Sequence, residues 1–382
     1  MSAVYIHIPF CVRKCAYCTF YSVCDTSLIS AYVSALKKEI RFRSAYITDE
    51  ITHSLYIGGG TPSLLSINHI QDIIHTVSSI FKLDVGAEIS LEANPDSLNE
   101  EYIRKLKDCG VNRLSIGVQS FYEDDLRTLN RLHTAKQAET CIDHAYKHGF
   151  TNLSVDLMYG FPGLSLSKWK HNLEKLKNIP HLSCYQLSLE KDTSLFESVR
   201  NKKHLLPSED ETMEQYEYLT SFAQSNHFIH YEISNFCKSG YASKHNSAYW
   251  ENKKYIGLGP GAHSYDRIHR QWNIADIQKY ISFMDNISDP IQYHTTAEDV
   301  LFEKEILTLD MRYNEYVMTS LRTLKGCKLS YIQSQLGNHY VKHLQQQLSS
   351  IPQAYYILTE TDLRLTEKGR LFADFVASTL FI

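Results

Sequence analysis

Cys11, Cys15 and Cys18 stand in one short run, Cys-x3-Cys-x2-Cys, with Arg13, Lys14 and Tyr17 between and beside them. Thiolates are the ligands of iron–sulfur clusters, and a loop of this length can present three of them to one face of a four-iron cubane. Three ligands leave the fourth iron open, so that a small molecule can coordinate it and receive an electron there. A zinc site is the competing reading. Zinc closure usually takes paired Cys-x2-Cys or Cys/His ligands, and the close candidates for a fourth ligand are Cys24 and His7. The spacing favours the cluster.

Other residues that could do chemistry recur at regular places. Gly58-Gly59-Gly60-Thr61-Pro62 offers unobstructed backbone N–H and C=O groups, which a bound ammonium could approach closely. Glu92-Ala93-Asn94-Pro95, Gly117-Val118-Gln119, Asp156 and Glu190 follow at intervals. Further on lies His245-Asn246-Ser247-Ala248-Tyr249-Trp250.

What positions these residues is a series of strand-like runs. Val4 to Ile8, Ser54 to Ile57, Ile89 to Leu91, Arg113 to Ile116, Leu153 to Leu157 and Leu182 to Leu187 are short, apolar and rich in β-formers. Amphipathic helical stretches separate them, among them Leu28 to Phe42 and Ile67 to Phe81. Such alternation predicts an α/β fold with a parallel sheet and crossover helices. Six units are too few for eightfold closure, so an open or partial barrel is expected. Each of the segments from the cysteine run to Glu190 sits at or just after the end of one of these strands. In barrels, chemistry collects at the carboxyl ends of the strands, so the segments are expected to converge on one mouth.

The chain divides on this reading into a core barrel at 1–230, an aromatic-rich connecting segment at 231–295, and a small carboxyl-terminal winged-helix-like module at 296–382. The last rests on the strand–turn–helix pattern around Leu363 to Gly369. Hydrophobic content of 43% and charged content of 21% are ordinary for a globular protein. A formal charge of −4 and a balanced terminal module give no basic field for nucleic acid or an anionic membrane. The sequence shows neither a signal peptide nor a membrane span, and its nine cysteines point to reduced thiols in the cytoplasm.

Cys-x3-Cys-x-Tyr-Cys after a first strand resembles the signature of the radical S-adenosylmethionine (SAM) superfamily. The flanking Tyr5-Ile6-His7-Ile8-Pro9-Phe10, the glycine run, Glu92 to Pro95 and Tyr231-Glu232-Ile233-Ser234-Asn235-Phe236 resemble one branch of it. That branch holds oxygen-independent coproporphyrinogen III oxidase and the HemW-type haem chaperones. The resemblance implies a partial (β/α)6 radical SAM barrel with a 4Fe-4S cluster on Cys11, Cys15 and Cys18. It implies SAM on the open iron, reduced through a flavodoxin- or ferredoxin-type donor and cleaved at a carbon–sulfur bond to a 5′-deoxyadenosyl radical. Gly59, Gly60, Thr61 and Glu92 match SAM-binding positions, as do Tyr5, Tyr17, Gln119, Arg131 and Asp156.

Within the branch, the oxidase carries a further cysteine two residues after the third ligand and an extension ahead of the first strand. This chain has Phe20 at that place and starts its first strand at about Val4, as the chaperones do. It departs from the usual chaperone motif in having Thr19 where Asp is common. His245-Asn246-x-x-Tyr249-Trp250 resembles the haem-binding motif of the chaperones. A His can ligate haem iron, and a Tyr-Trp pair offers flat apolar faces to a porphyrin. The resemblance therefore implies a protein that binds haem and transfers it to an acceptor protein. The alternative is an enzyme that oxidatively decarboxylates the propionates of coproporphyrinogen III.

Overall fold

The computed structural model describes residues 2–47, 50–298 and 300–382. Six parallel strands lie side by side in chain order: β1 (Ser2–Ile8), β2 (Thr52–Gly59), β3 (Leu83–Ala93), β4 (Arg113–Gln119), β5 (Asn152–Tyr159) and β6 (His181–Gln186). A strand covered on both faces must be apolar or satisfied throughout, and β4 is buried along its whole length.

The crossovers are helical because their apolar residues recur at helical spacing. α1 (Ile29–Phe42) buries Tyr32, Val33, Leu36 and Ile40 on one side. α2 (Ile67–Ile80) opens at Ser66, whose hydroxyl accepts from the His69 N–H. α3 (Glu100–Asp108) and α4 (Glu123–Thr128) follow, and α5 (Ala135–Lys147) begins with a capping box between Thr134 and Gln137. α6 (Leu166–Lys175), α7 (Ser194–Arg200) and α8 (Glu209–Ser225) complete the core.

Among the described residues the sheet extends beyond the six strands expected, to twelve. Past β6 come β8 (Asn235–Cys237) and β7 (Ile229–Glu232), both antiparallel. Past β1 come β9 (Lys254–Leu258), parallel to it, and the antiparallel β10 (His263–Tyr265), β11 (His269–Asn273) and β12 (Phe302–Ile306). Between β8 and β9 lies the short α9 (Lys244–Trp250). The flank is tied to the core by Glu39 of α1, which is fully buried. Its carboxylate accepts from the Gly259 N–H (2.8 Å), the Asn273 amide (2.8 Å) and the Tyr280 hydroxyl (2.7 Å), and it pairs with Arg43 at 3.4 Å.

From the helix Leu309–Leu321 onward the chain builds a separate small core with a three-stranded antiparallel sheet over Cys327–Lys328, Tyr356–Leu358 and Asp362–Leu365. Among the described residues no helix is long and apolar enough to cross a membrane.

Candidate functional site

The cysteine loop leaves β1 at Pro9 and is held at both ends and in the middle. Its base is closed by Cys11 N–H to the Val23 carbonyl (3.0 Å) and Val23 N–H to the Pro9 carbonyl (2.8 Å). Its middle is pinned by Ala16 N–H to Leu129 (3.0 Å), by Leu195 N–H to Ala16 (2.9 Å), and by the Asn130 amide on the Lys14 carbonyl (2.9 Å). So fixed, Cys11, Cys15 and Cys18 line a cavity of about 460 Å³. Its walls come from the ends of all six parallel strands: Gly59 to Thr61 after β2, Glu92 and Asn94 at β3, Gln119 at β4, Asp156 and Met158 on β5, and Leu187 and Glu190 after β6.

The donor set suits an iron–sulfur cluster. Burial pushes the Cys11 and Cys18 thiols above their usual pKa, so an incoming metal must draw off their protons. Donors stand ready for the resulting thiolates: the Thr61 hydroxyl at 3.6 Å from Cys11 Sγ and the Arg131 guanidinium at 3.3 Å from Cys15 Sγ. Among the described residues, no three His, Cys, Asp or Glu side chains gather around one point as the ligands of a single ion would. The three thiols all border one cavity. Of the two candidates for a zinc ligand, neither borders the cavity. Cys24 is exposed and outside the cavity lining. His7 has both nitrogens engaged, with Tyr5 at 3.0 Å and the Tyr21 carbonyl at 2.9 Å.

The glycine run serves packing as well as access. Gly59 has φ +113°, and a Cβ there would lie 2.7 Å from the His7 ring. At Gly60 a Cβ would lie 2.6 Å from the Phe10 carbonyl and 3.0 Å from Cys11 Sγ. The close approach of β2 to the cysteine loop therefore requires glycine. Gly60→Val is expected to cost the protein its cluster, and not only affinity for a cofactor beside it. Iron and absorbance after anaerobic reconstitution would show this, and a cluster at wild-type occupancy would contradict it.

Two carboxyls face the cavity. Burial lifts the Glu92 pKa to about 7; hydrogen bonds from Tyr56 (2.6 Å) and the Gly59 N–H (2.9 Å) oppose the shift, and the nearby Asp156 adds to it. Burial likewise lifts Asp156 to about 6, against a hydrogen bond from Ser115 at 3.1 Å. A carboxyl whose folded pKa is raised favours the folded state below its unfolded pKa, and that advantage is lost as pH rises through the folded pKa. The apoprotein should therefore lose stability between pH 4.5 and 7, by about 3 kcal/mol for Glu92 alone. Glu92→Gln should flatten this slope in denaturant titrations across the range; an equally steep slope in the variant would remove Glu92 as its cause.

Arg131, a lone Arg in sequence, is half-buried here. Its guanidinium donates to Asn94 Oδ1 (2.7 Å) and to the Gly117 carbonyl, and its Nε is buried without a partner. Burial works against its charge, yet Tyr17 and Cys15 beside it raise its pKa above the ordinary value. An unpaired donor in a cationic group beside the thiols is suited to a ligand carboxylate. Gln119 adopts φ +67°, a left-handed conformation costly for a residue with a side chain and often found at functional sites. Tyr17 borders the cavity, whereas Tyr5 lies deeper, its ring stacked on that of Tyr56 at 6.2 Å.

The His245 segment lies elsewhere. α9 closes the amino-terminal end of the sheet, where the Glu88 carboxylate accepts from the Ser243 hydroxyl and the N–H groups of Lys244 and His245. Glu88 precedes Glu92 by four residues on β3, about 13 Å further from the cavity. His245 is 1% exposed. Its Nδ1 lies 2.9 Å from Ser54 Oγ and its Nε2 2.9 Å from the Tyr249 hydroxyl. Burial drives its pKa down to about 3. The expectation of a ring presented to haem iron thus meets a ring sealed inside the fold with both nitrogens engaged. Asn246 and Trp250 are half-buried on the same helix, and the Trp250 Nε1 is buried without a partner.

Comparison with known proteins adds independent findings. The model of the Radical SAM superfamily matches residues 5–176. The heme chaperone HemW of Lactococcus lactis is 32% identical over 372 residues, 96% of this chain and 94% of that protein. The heme chaperone HemW of Mycobacterium tuberculosis is 32% identical over 383 residues, 99% of this chain and 94% of that one. Among solved structures, coproporphyrinogen III oxidase (HemN) from Escherichia coli superposes with a TM-score of 0.82 over 100% of this chain and 90% of its own. At 22% identity, that likeness speaks for the fold.

Proposed function

The chain belongs to the HemW haem-chaperone family of radical SAM proteins, and from that premise we propose that it binds haem and passes it to an acceptor protein. The observation that carries this reading is Phe20. It is 66% exposed at the cavity rim, at the place where the oxidase would have a further cysteine. Tyr185, 42% exposed, borders the same cavity. With Arg13 and Lys14 also on its lining, the mouth combines flat apolar faces with cationic groups. That combination suits a macrocycle bearing two carboxylates. Ligation through His245 would require Tyr249 to give up its hydrogen bond, so the mouth is the better-placed haem surface.

Cys11, Cys15 and Cys18 would hold the 4Fe-4S cluster, with SAM in the space bordered by Gly59, Gly60, Thr61, Glu92, Gln119, Arg131, Asp156 and Tyr17. The bound pair supplies one-electron reduction of a carbon–sulfur bond. The chain's own part is placement: Glu92 can accept from ribose hydroxyls, Arg131 can hold a carboxylate beside Cys15, and the cavity wall limits access of water. The exposed Arg13 and Lys14 suit an acidic flavodoxin- or ferredoxin-type donor. All nine cysteines are free thiols, in keeping with a reducing compartment such as the cytoplasm.

Titration of the reconstituted protein with haem tests the site. Phe20→Ala should weaken binding about tenfold, the effect of losing roughly 1.4 kcal/mol of ring burial. Unchanged affinity in Phe20→Ala and Tyr185→Ala would move haem away from the mouth.

A further inference from the structure

Three interior tyrosines each place the hydroxyl on a base. Tyr56 donates to Glu92 Oε1 at 2.6 Å, Tyr5 lies 3.0 Å from His7 Nδ1, and Tyr249 lies 2.9 Å from His245 Nε2. Elsewhere Tyr280 on Glu39 and Tyr231 on His181 also meet a base, whereas Tyr32 donates to the His7 carbonyl at 2.5 Å and the half-buried Tyr102 to the Leu65 carbonyl at 2.7 Å. A carbonyl accepts a hydrogen bond but cannot keep the proton, whereas a carboxylate or a neutral imidazole can. His7 is in the right form, and His245 is so in the tautomer that donates from Nδ1 to Ser54 Oγ. His7 Nε2 faces the Tyr21 carbonyl, which only accepts, so Nε2 carries the proton and Nδ1 is free to receive one. Burial keeps both His7 and His245 neutral.

Between these pairs the contacts are ring on ring. Tyr5 stacks on Tyr56 at 6.2 Å, Tyr56 on His245 at 4.8 Å, and His245 meets Tyr249 edge-on at 4.9 Å. Tyr249 meets Tyr255 at 4.6 Å, and Tyr255 is half-buried on β9, at the flank of the sheet. A proton wire would need each hydroxyl to donate and accept in turn, but every pair here is closed on itself. Protons can shift within a pair, and only electrons can pass between rings.

We propose that Tyr56, Tyr249 and Tyr255, with Tyr5 beside them, form a redox relay that carries oxidising equivalents out of the cavity to the β9 flank. A one-electron oxidant in the cavity, such as a peroxyl radical or a high-valent haem iron, takes an electron from Tyr56 and is reduced to the peroxide anion or to the next lower iron state. The phenolic proton passes to the Glu92 carboxylate and leaves a neutral tyrosyl radical. Tyr249 then reduces that radical, its own proton moving to His245 Nε2 while Glu92 returns its proton to Tyr56. Tyr255 in turn gives an electron to the Tyr249 radical, which regains its proton from His245, and the Tyr255 phenol loses its proton to water. A thiol in the solvent returns a hydrogen atom to the Tyr255 radical and leaves a thiyl radical. The relay stands whether or not the chain carries haem, and it gives the His-x3-Tyr spacing on α9 a role inside the fold.

Azide-radical pulse radiolysis of the anaerobically reconstituted full chain tests it, because azide radicals oxidise accessible aromatic rings and the hole then migrates inward. Wild-type protein should develop a long-lived tyrosyl signal by transient absorption and freeze-quench electron paramagnetic resonance. Tyr249→Phe and Tyr255→Phe should each lose that signal, and Tyr102→Phe should keep it. Tyr255→Phe, at a half-buried position, preserves the test should Tyr249→Phe fail to fold. A signal of wild-type yield in the Tyr255→Phe protein would overturn the relay, as would a signal lost equally in Tyr102→Phe.

Discussion

Replacing any one of Cys11, Cys15 and Cys18 by alanine is expected to abolish the brown absorbance and bound iron after anaerobic reconstitution, while Cys24→Ala leaves both unchanged. Each of the three thiols borders the cavity, and among the described residues no other cysteine does. A cubane held by three ligands has none to spare, because its fourth iron is already without a protein ligand. Cys24 is exposed and outside the lining, and Cys109 caps the far end of α3. The contrast is informative because all four variants remove a thiol, so a general loss of reducing capacity would affect them alike. Iron analysis and absorbance on the four proteins decide it. Loss of iron in Cys24→Ala alone would show the ligand set to be misassigned.

The cysteine loop was legible because its ligands are neighbours in the chain and the spacing is itself the geometry. Strands β1 to β6 were legible for a related reason: buried along much of their length, they read as runs of β-formers, and the segments that line the cavity sit at their ends or directly after them. Strands β7 to β12 lacked such a signal. They are three to five residues long, and sequences such as His269-Arg-Gln-Trp-Asn273 carry no apolar alternation; the core beside them creates the strand. Glu39 shows the same limit. Nothing in a helix reading Lys38-Glu39-Ile40 tells that this carboxylate is fully buried among partners from residues 43, 259, 273 and 280.

Arg131 and His245 were harder for opposite reasons. Arg131 resembles any solvated charge, and its role beside Cys15 depends on where α4 delivers the following turn. His245 resembles a ligand because its residue type suits one. Its helical spacing to Tyr249 held the better clue, since residues four apart on a helix share a face and can pair with each other. A residue type suggests chemistry, but only the partners already present decide whether that chemistry is open to an outside ligand.

With coproporphyrinogen III, SAM and a reductant, the reconstituted protein is expected to form no protoporphyrinogen and, in a separate titration, to bind about one haem per chain at a single mouth site. By resemblance the oxidase carries a further cysteine, and here that position is an exposed phenylalanine on the cavity rim. An exposed aromatic face can hold a flat macrocycle but cannot replace a thiol in reactivity. His245→Ala separates the two ways of holding haem. The ring packs between Tyr56 and Tyr249 and fills a buried site. Removing it should therefore lower stability by about 2–4 kcal/mol. The haem spectrum of whatever protein remains folded should stay as in wild type. Multiple-turnover formation of protoporphyrinogen would establish the oxidase in place of the chaperone. A haem spectrum altered in His245→Ala but not in Phe20→Ala would show instead that α9 opens to take the iron. In that case Tyr249 must release His245 Nε2 before haem can bind, and haem uptake should become faster in Tyr249→Phe.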